Sequence, residues 1–201
     1  MSKGYAAIYR SLLPALAKCN IRENAPRLGG KVVEDGVEMT LLSRKYLITG
    51  EGVEPVDGLP VDVNNRSILI YYILSQGAGA LSYEFAPLNR LTGLIEGQNT
   101  LAGGIMNTPL IREFGGDYRR FQTAAAKIGG VEQPATGTGK HVWHILALPK
   151  ILSQIIFYEA DDEYPADIQI MFDRTAPRFL EFECLAFLAG SMVKALIRGG
   201  R

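Results

Sequence analysis

The sequence predicts an α+β fold: a single domain of mostly antiparallel sheets with N-terminal, central and C-terminal helices packed on them. Apolar residues recur at helical spacing over residues 5–19 and 182–197, and residues 64–77 form a third, mostly apolar helical stretch. Runs rich in β-branched and aromatic residues occupy residues 31–49 and 141–172. These two kinds of segment together indicate the α+β class.

The length and the charge balance bound the size of the domain and its partners. The 201 residues are 47% apolar and contain no internal repeat or linker, so one domain over residues 1–201 is expected. The 21 Lys and Arg residues balance 21 Asp and Glu residues. Without a basic face that could neutralise several phosphates, the chain is not expected to bind nucleic acid.

The first predicted element is a helix over residues 5–19, which Pro14 is expected to kink or shorten. Residues 24–30 are rich in turn-forming types. Three short strands are predicted next: residues 31–34, 37–42 and 46–49. An Asp-Gly pair between the first two indicates a hairpin. Residues 50–60 contain five Gly or Pro residues, which predicts a loop.

The central helix is predicted to begin near Asn64 or Asn65, either of which could be its N-cap, and to end at Gly77. Residues 81–91 are interpreted as a strand or strand pair broken by Pro87.

The next segment, residues 93–104, shows little periodicity and is expected to be mobile. Helices are predicted over residues 109–114 and 117–128. The C-terminal third is predicted to contain three strands and a final helix: residues 141–148, 151–158, 167–172 and 182–197.

The two cysteines, Cys19 and Cys184, are far apart and form no CxxC motif. Thiolates of one chain therefore cannot build a disulfide framework, a zinc site or an iron–sulfur site. The first residues lack the apolar region of a signal peptide, and no stretch approaches about 18 consecutive apolar residues. A cytoplasmic protein without a membrane segment is predicted.

The only two histidines, His141 and His144, lie on either side of the only tryptophan, Trp143. On a strand, residues three apart point to opposite faces, so the two histidines are not expected to chelate one ion together. Either ring could still act alone as an axial ligand or a general base. The alternative is an exposed histidine beside a packed one.

An acidic loop joins two of the predicted strands and contains Glu159, Asp161, Asp162 and Glu163, while Asp173 lies at the far end of the second strand. Such oxygen ligands suit a hard cation, and one carboxyl could act as an acid. The spacing matches no EF-hand, and a solvated loop is the alternative.

Two arginines lie between two aromatic residues at positions 118–121. Arg119 and Arg120 could hold a carboxylate or a phosphate through their forked N–H donors. The alternative is the solvated side of an amphipathic helix.

Five segments carry motifs in a recognisable order: residues 67–74, 81–85, 121–130, 160–165 and 170–173. The most specific are Asp-Glu-Tyr-Pro at 162–165 and Met-Phe-Asp at 171–173. Over residues 5–197, the chain resembles the domain of unknown function 3786 family, an uncharacterised prokaryotic family.

The resemblance implies no established activity. It implies a setting in anaerobic bacteria and archaea, where some members are joined to a cysteine-rich iron–sulfur module. Two isolated cysteines cannot form that module, so a redox role would need an iron–sulfur partner protein or a different cofactor. The resemblance also gives weight to Asp162, Glu163 and Asp173, whose residue types match the family pattern.

The leading functional hypothesis is a cofactor- or small-ligand-binding accessory domain of anaerobic metabolism. Its pocket is expected between the central helix and the C-terminal sheet, with the acidic loop at its rim and residues 93–104 as a cover. The ligand is unspecified; a tetrapyrrole with His141 or His144 as axial ligand is one candidate. The candidate ligand-binding residues are Asp162, Glu163, Asp173, Tyr72, Tyr83, Trp143 and His144.

Two alternatives stay open. A divalent-metal-assisted hydrolase or lyase would place Asp162, Glu163 and Asp173 around the cation, with a histidine as base. A protein-interaction domain without catalysis would use the acidic loop and an exposed strand edge as docking surface, and zero net charge favours self-association into a homodimer.

Overall fold

The structure, a computed structural model, describes residues 3–91 and 100–200. Over these residues, helices pack on two antiparallel sheets, which confirms the predicted α+β class. Buried side chains from the first helix to the last belong to one hydrophobic cluster. The helices and both sheets therefore share a single core.

Two helices begin the chain, α1 (Lys3–Lys18) and α2 (Ile21–Arg27). The helix α1 continues past its internal proline to its predicted end. The helix α2 overlaps residues predicted as a turn. Its residues Ile21 and Ala25 lie one helical turn apart and are buried, so tertiary packing outweighs the turn-forming residue types.

The first sheet is an antiparallel meander in the order β1-β2-β3-β4: β1 (Lys31–Val33), β2 (Gly36–Leu41), β3 (Arg44–Thr49) and β4 (Gly52–Pro55). The first three strands confirm the predictions. A loop was predicted over residues 50–60, and this prediction is wrong for β4. Val53 pairs with Ile48 and is fully buried, so pairing with β3 orders a glycine-rich segment.

The helix α3 (Val63–Leu74) is the predicted central helix, but its N-cap is Asp62 and not Asn64 or Asn65. The Asp62 carboxylate accepts the backbone N–H of Asn64 at 3.0 Å and pairs with Lys194 Nζ at 2.8 Å. The N-cap is therefore also tied to the C-terminal part of the chain.

A short strand and three helices follow: β5 (Phe85–Ala86), α4 (Leu88–Leu91), α5 (Thr100–Phe114) and α6 (Tyr118–Lys127). The strand predicted over residues 81–91 is wrong outside β5. The helix α4 begins directly after Pro87, whose fixed φ suits the start of a helix. The predicted mobile stretch 93–104 lies outside the described residues up to residue 99, and α5 begins at Thr100.

The second sheet has the order β5-β9-β8-β7-β6, with all neighbours antiparallel: β6 (Gly130–Gln133), β7 (Lys140–Leu148), β8 (Ile151–Tyr158) and β9 (Asp167–Asp173). The helix α7 (Phe182–Gly199) packs against α3, α5 and α6. The strands β7 to β9 and the helix α7 confirm the predictions, whereas β6 was not predicted. Among the described helices, none has both the length and the apolar character needed to cross a membrane.

Tyr72 joins the central helix to both sheets. Its hydroxyl donates to the carbonyl oxygen of Leu28, just before β1, at 2.9 Å. It also accepts the backbone N–H of Lys150, in the turn between β7 and β8, at 3.0 Å. Burial raises the pKa of Tyr72, so the hydroxyl stays protonated. This candidate ligand-binding residue therefore lies in the core with its hydroxyl bonded to protein.

We expect Tyr72→Phe to lower the free energy of unfolding by about 2–4 kcal/mol, because one buried donor and one buried acceptor lose their partner. The matched control is Tyr71→Phe, since the half-buried Tyr71 hydroxyl makes no hydrogen bond to the described residues. We expect its loss to stay below about 1 kcal/mol in urea unfolding. Equal losses of stability in the two variants would contradict a stabilising role for the two hydrogen bonds of the Tyr72 hydroxyl.

Candidate functional site

Asp173, at the end of β9, is fully buried and closes the loop before β5. Its Oδ1 accepts the backbone N–H and hydroxyl of Ser82 at 3.2 and 3.0 Å, and those of Thr175 at 2.9 and 2.6 Å. Its Oδ2 accepts the backbone N–H of Tyr83 at 2.6 Å. Burial alone would raise the pKa of Asp173, but these hydrogen bonds outweigh it and lower the pKa below its usual value. Asp173 therefore acts as a structural acceptor.

The loop that Asp173 closes holds Tyr83 in the left-handed region, at a φ of 57°. The bond from the Tyr83 backbone N–H to the buried carboxylate supports this conformation. The Tyr83 side chain is 65% exposed, so it lies at the surface, apart from the buried candidate residues.

The strand β9 separates Asp162 and Glu163 from Asp173. The first two are exposed in the loop before β9, and Asp173 ends this strand, which is about 20 Å long at about 3.3 Å per residue. Asp161 organises the loop, because its Oδ1 accepts the N–H groups of Glu163 and Tyr164 at 2.9 and 2.7 Å. The structure does not bring the three candidate carboxylates together. In the described part of the chain, no three His, Cys, Asp or Glu side chains are arranged to hold a metal ion.

His141 lies between two carboxylates and on a tyrosine ring. Its Nδ1 is 3.3 Å from Glu132 Oε1, and its Nε2 is 2.7 Å from Glu159 Oε1. The imidazole stacks on Tyr118 with ring centroids 3.4 Å apart and an interplanar angle of 15°. Because both nitrogens face carboxylates, neither is open to a metal or a substrate in this arrangement.

The Tyr118 hydroxyl extends this network to the buried Trp143. It donates to Glu132 Oε1 and accepts the indole N–H of Trp143 at 3.2 Å. Burial and the bond to Glu132 raise the pKa of Tyr118, whereas the bonds from Tyr118 and His141 lower the pKa of Glu132. We call Tyr118, Glu132, Trp143, His141 and Glu159 the His141 cluster. Glu132 was missed from the sequence because β6 was not predicted.

His144 points to the opposite face of β7 from His141, as predicted. The amide of Gln154 donates to its Nε2 at 3.1 Å, and its ring lies 4.9 Å from that of Phe85. Burial lowers the pKa of His144, which favours the neutral ring that this bond requires. The two histidines therefore have separate surroundings.

A cavity of about 270 Å³ lies between α4, α5 and β9. It does not involve α3, next to which the pocket was predicted. Its polar wall contains Asn89, Arg90, Asn107, Asp167 and Gln169, and its apolar wall contains Leu88, Met106, Ile170, Met171 and Phe172. None of the seven candidate residues from the sequence lines this cavity.

The polar groups of the cavity differ in whether protein groups already bind them. Both oxygens of Asp167 are engaged, by the backbone N–H of Ile168 at 2.9 Å and by Gln169 Nε2 at 2.7 Å. Within the described residues, the Arg90 guanidinium makes no hydrogen bond or ion pair, and neither does the Asn107 amide. The cavity therefore presents unpaired donors beside an apolar wall.

Sequence reasoning missed Arg90 and Asn107 because neither belongs to a motif. Residues 81–91 were interpreted as a strand, and Asn107 precedes the helix predicted from residue 109. The Pro87 helix-start signal could have placed Arg90 on a helix.

The sequence model of the family described as Domain of unknown function (DUF3786) matches residues 20–195. No curated protein and no solved structure matches the chain.

We expect Tyr118→Phe to preserve the stack on His141 and to remove the hydroxyl between Glu132 and Trp143. Stability should fall by about 1–2 kcal/mol. The fluorescence of the only tryptophan should shift to shorter wavelength, because its N–H loses an acceptor. Tyr158→Phe is the control, since that hydroxyl makes no hydrogen bond in the described part of the chain. Unchanged emission in Tyr118→Phe, or an equal shift in the control, would contradict the network.

We expect Asp173→Asn to cost about 2–4 kcal/mol near neutral pH, because an amide nitrogen cannot accept the N–H groups that the carboxylate accepts. The folded-state pKa lies below the unfolded value of about 3.9, so the stabilisation is present above that value and is lost as the pH falls through the folded-state pKa. Urea unfolding at several pH values should show a steeper loss below about pH 4 for the wild type than for the variant. Exposed Asp162→Asn should match the wild type; parallel wild-type and Asp173→Asn curves would refute the assignment.

Proposed function

We propose that the chain, which belongs to the family described as Domain of unknown function (DUF3786), is a small-ligand-binding domain whose ligand lies in the cavity between α4, α5 and β9. One observation carries this proposal: Arg90 and Asn107 face the same cavity with no partner among the described residues. The volume of about 270 Å³ is close to the lower end of small-molecule sites.

The contrast with a second, more open depression supports this choice. That depression also contains basic side chains, but they bind protein atoms: Arg44 pairs with Asp57 at 2.6 Å, and Lys127 Nζ donates to the carbonyl oxygen of Gly199 at 2.7 Å. A ligand there would have to displace these contacts. A ligand in the first cavity can bind the Arg90 guanidinium without displacing any described residue from it.

The His141 cluster is a weaker candidate for chemistry. Its polar groups satisfy one another and join α6 to β6, to β7 and to Glu159, the residue that follows β8. An internally satisfied network mainly stabilises the fold. The geometry also gives no support to a metal-assisted hydrolase, because its candidate carboxylates in the acidic loop and at Asp173 lie at opposite ends of β9.

On the basis of the family resemblance, we also propose that this ligand-binding domain has an accessory role in anaerobic metabolism. The two isolated cysteines of this sequence cannot hold an iron–sulfur cluster, so a redox role would need an iron–sulfur partner protein or a different cofactor. Cys184 is buried, and burial raises the pKa of its thiol to about 11, so it stays protonated near neutral pH. A homodimer and a cytoplasmic location stay predictions from the sequence.

The test is a thermal-shift screen with small carboxylates, phosphates, amines and neutral aromatic compounds. At about 100 times its Kd, a ligand should raise the Tm by about 5–10 °C, because it adds about 2.7 kcal/mol of stability. Asn107→Trp should abolish this rise, because the indole occupies the cavity. Thr108→Trp is the matched control at the next, exposed position of α5.

Two results would overturn the proposal. One is the absence of any stabilising compound in the panel. The other is a compound that stabilises Asn107→Trp as much as the wild type. Native mass spectrometry of the same samples should show one ligand per chain for the wild type and for Thr108→Trp.

A further inference from the structure

We infer, resting on the proposed function, that the ligand is a small monocarboxylate with an apolar body and that Arg90 binds its carboxylate. The cavity offers more unpaired donors than unpaired acceptors, because the Arg90 guanidinium carries only donors and has no partner among the described residues, whereas the Asn107 amide adds both donors and an acceptor. A ligand that satisfies them must be rich in acceptors. The forked N–H groups of a guanidinium match the two oxygens of a carboxylate.

The charge of the cavity selects a single negative charge. Asp167 lines the same cavity as Arg90, and its two oxygens accept hydrogen bonds from Ile168 and Gln169. One cation and one anion leave the cavity neutral. A monoanion can therefore pair with Arg90, whereas a phosphate dianion would add a second charge close to the Asp167 carboxylate without a second cation.

Burial gives the ligand its orientation. Arg90 is exposed, whereas Leu88 and Phe172, which line the same cavity, are 5% and 0% exposed. The carboxylate therefore lies at the mouth, and the apolar body lies inside, towards the core to which these two side chains belong. Burial of that body adds about 25 cal/mol for each Å² of apolar surface removed from water.

Two methionines determine which ligand shapes the apolar wall of the cavity can accept. Met106 and Met171 line the cavity from α5 and β9, and both are half-buried. An unbranched thioether side chain adapts to different ligand shapes. The site should therefore discriminate strongly by head group and weakly by the shape of the apolar body.

The test uses compounds with one pentyl body and different head groups: hexanoate, hexanamide and pentyl phosphate. Isothermal titration calorimetry on the full chain should show hexanoate binding at least about tenfold more tightly than the other two. A second pair, phenylacetate and phenylacetamide, should show the same preference for the acid. Arg90→Gln should weaken both acids at least about tenfold and leave the amides unchanged. Arg10→Gln, at an exposed position of α1 outside the cavity, is the matched control.

The outcomes separate this inference from the proposed function. If an amide or a phosphate binds as tightly as the acid and Asn107→Trp abolishes that binding, the cavity is a ligand site but the carboxylate assignment is overturned. If Arg90→Gln binds the acids as well as Arg10→Gln does, the role of Arg90 is overturned. If these compounds do not bind but another compound in the thermal-shift screen does, the inference fails and the cavity proposal stands. If no compound in either set binds, both fail.

Discussion

The cavity depends on the buried carboxylate of Asp173. This carboxylate holds the loop before β5 against the end of β9, and Phe85 pairs with Asp173 in the same sheet. The chain then passes through Pro87 into α4, the helix that carries Arg90. A buried charge is tolerated only when hydrogen bonds satisfy it, and Asp173 meets this condition on both oxygens. This buried, hydrogen-bonded carboxylate therefore fixes the position of Arg90, a charge that no described residue binds.

The polar groups of the protein divide by what binds them. Those of the His141 cluster, Asp173 and Tyr72 bind other protein groups and stabilise the joints between helices and sheets. Arg90 is exposed, bound by no described residue, and faces a cavity with an apolar wall. A polar group whose hydrogen bonds are already made within the protein has few donors or acceptors free for a ligand. A ligand site is therefore expected at Arg90 and not at the groups bound by protein.

Elements with a periodic pattern of their own were predictable from the sequence. The strands β7 to β9 and the helices α1, α3 and α7 lie close to their predicted places. The strands β4 and β6 and the helix α2 were missed because each is short and is ordered by a neighbour: Val53 by Ile48, and Glu132 by its place opposite Trp143. Propensity is a local quantity, and these elements are decided by tertiary pairing.

By itself, the sequence determined the α+β class, the order of its main elements, the family resemblance and the opposite orientation of His141 and His144. These follow from hydrophobic period, turn chemistry and motif order, which are local properties. Only the tertiary structure decided that Asp173 is a buried structural acceptor and that Arg90 and Asn107 meet at one cavity. Whether a polar side chain is satisfied depends on groups distant in the chain, and no local pattern specifies those partners.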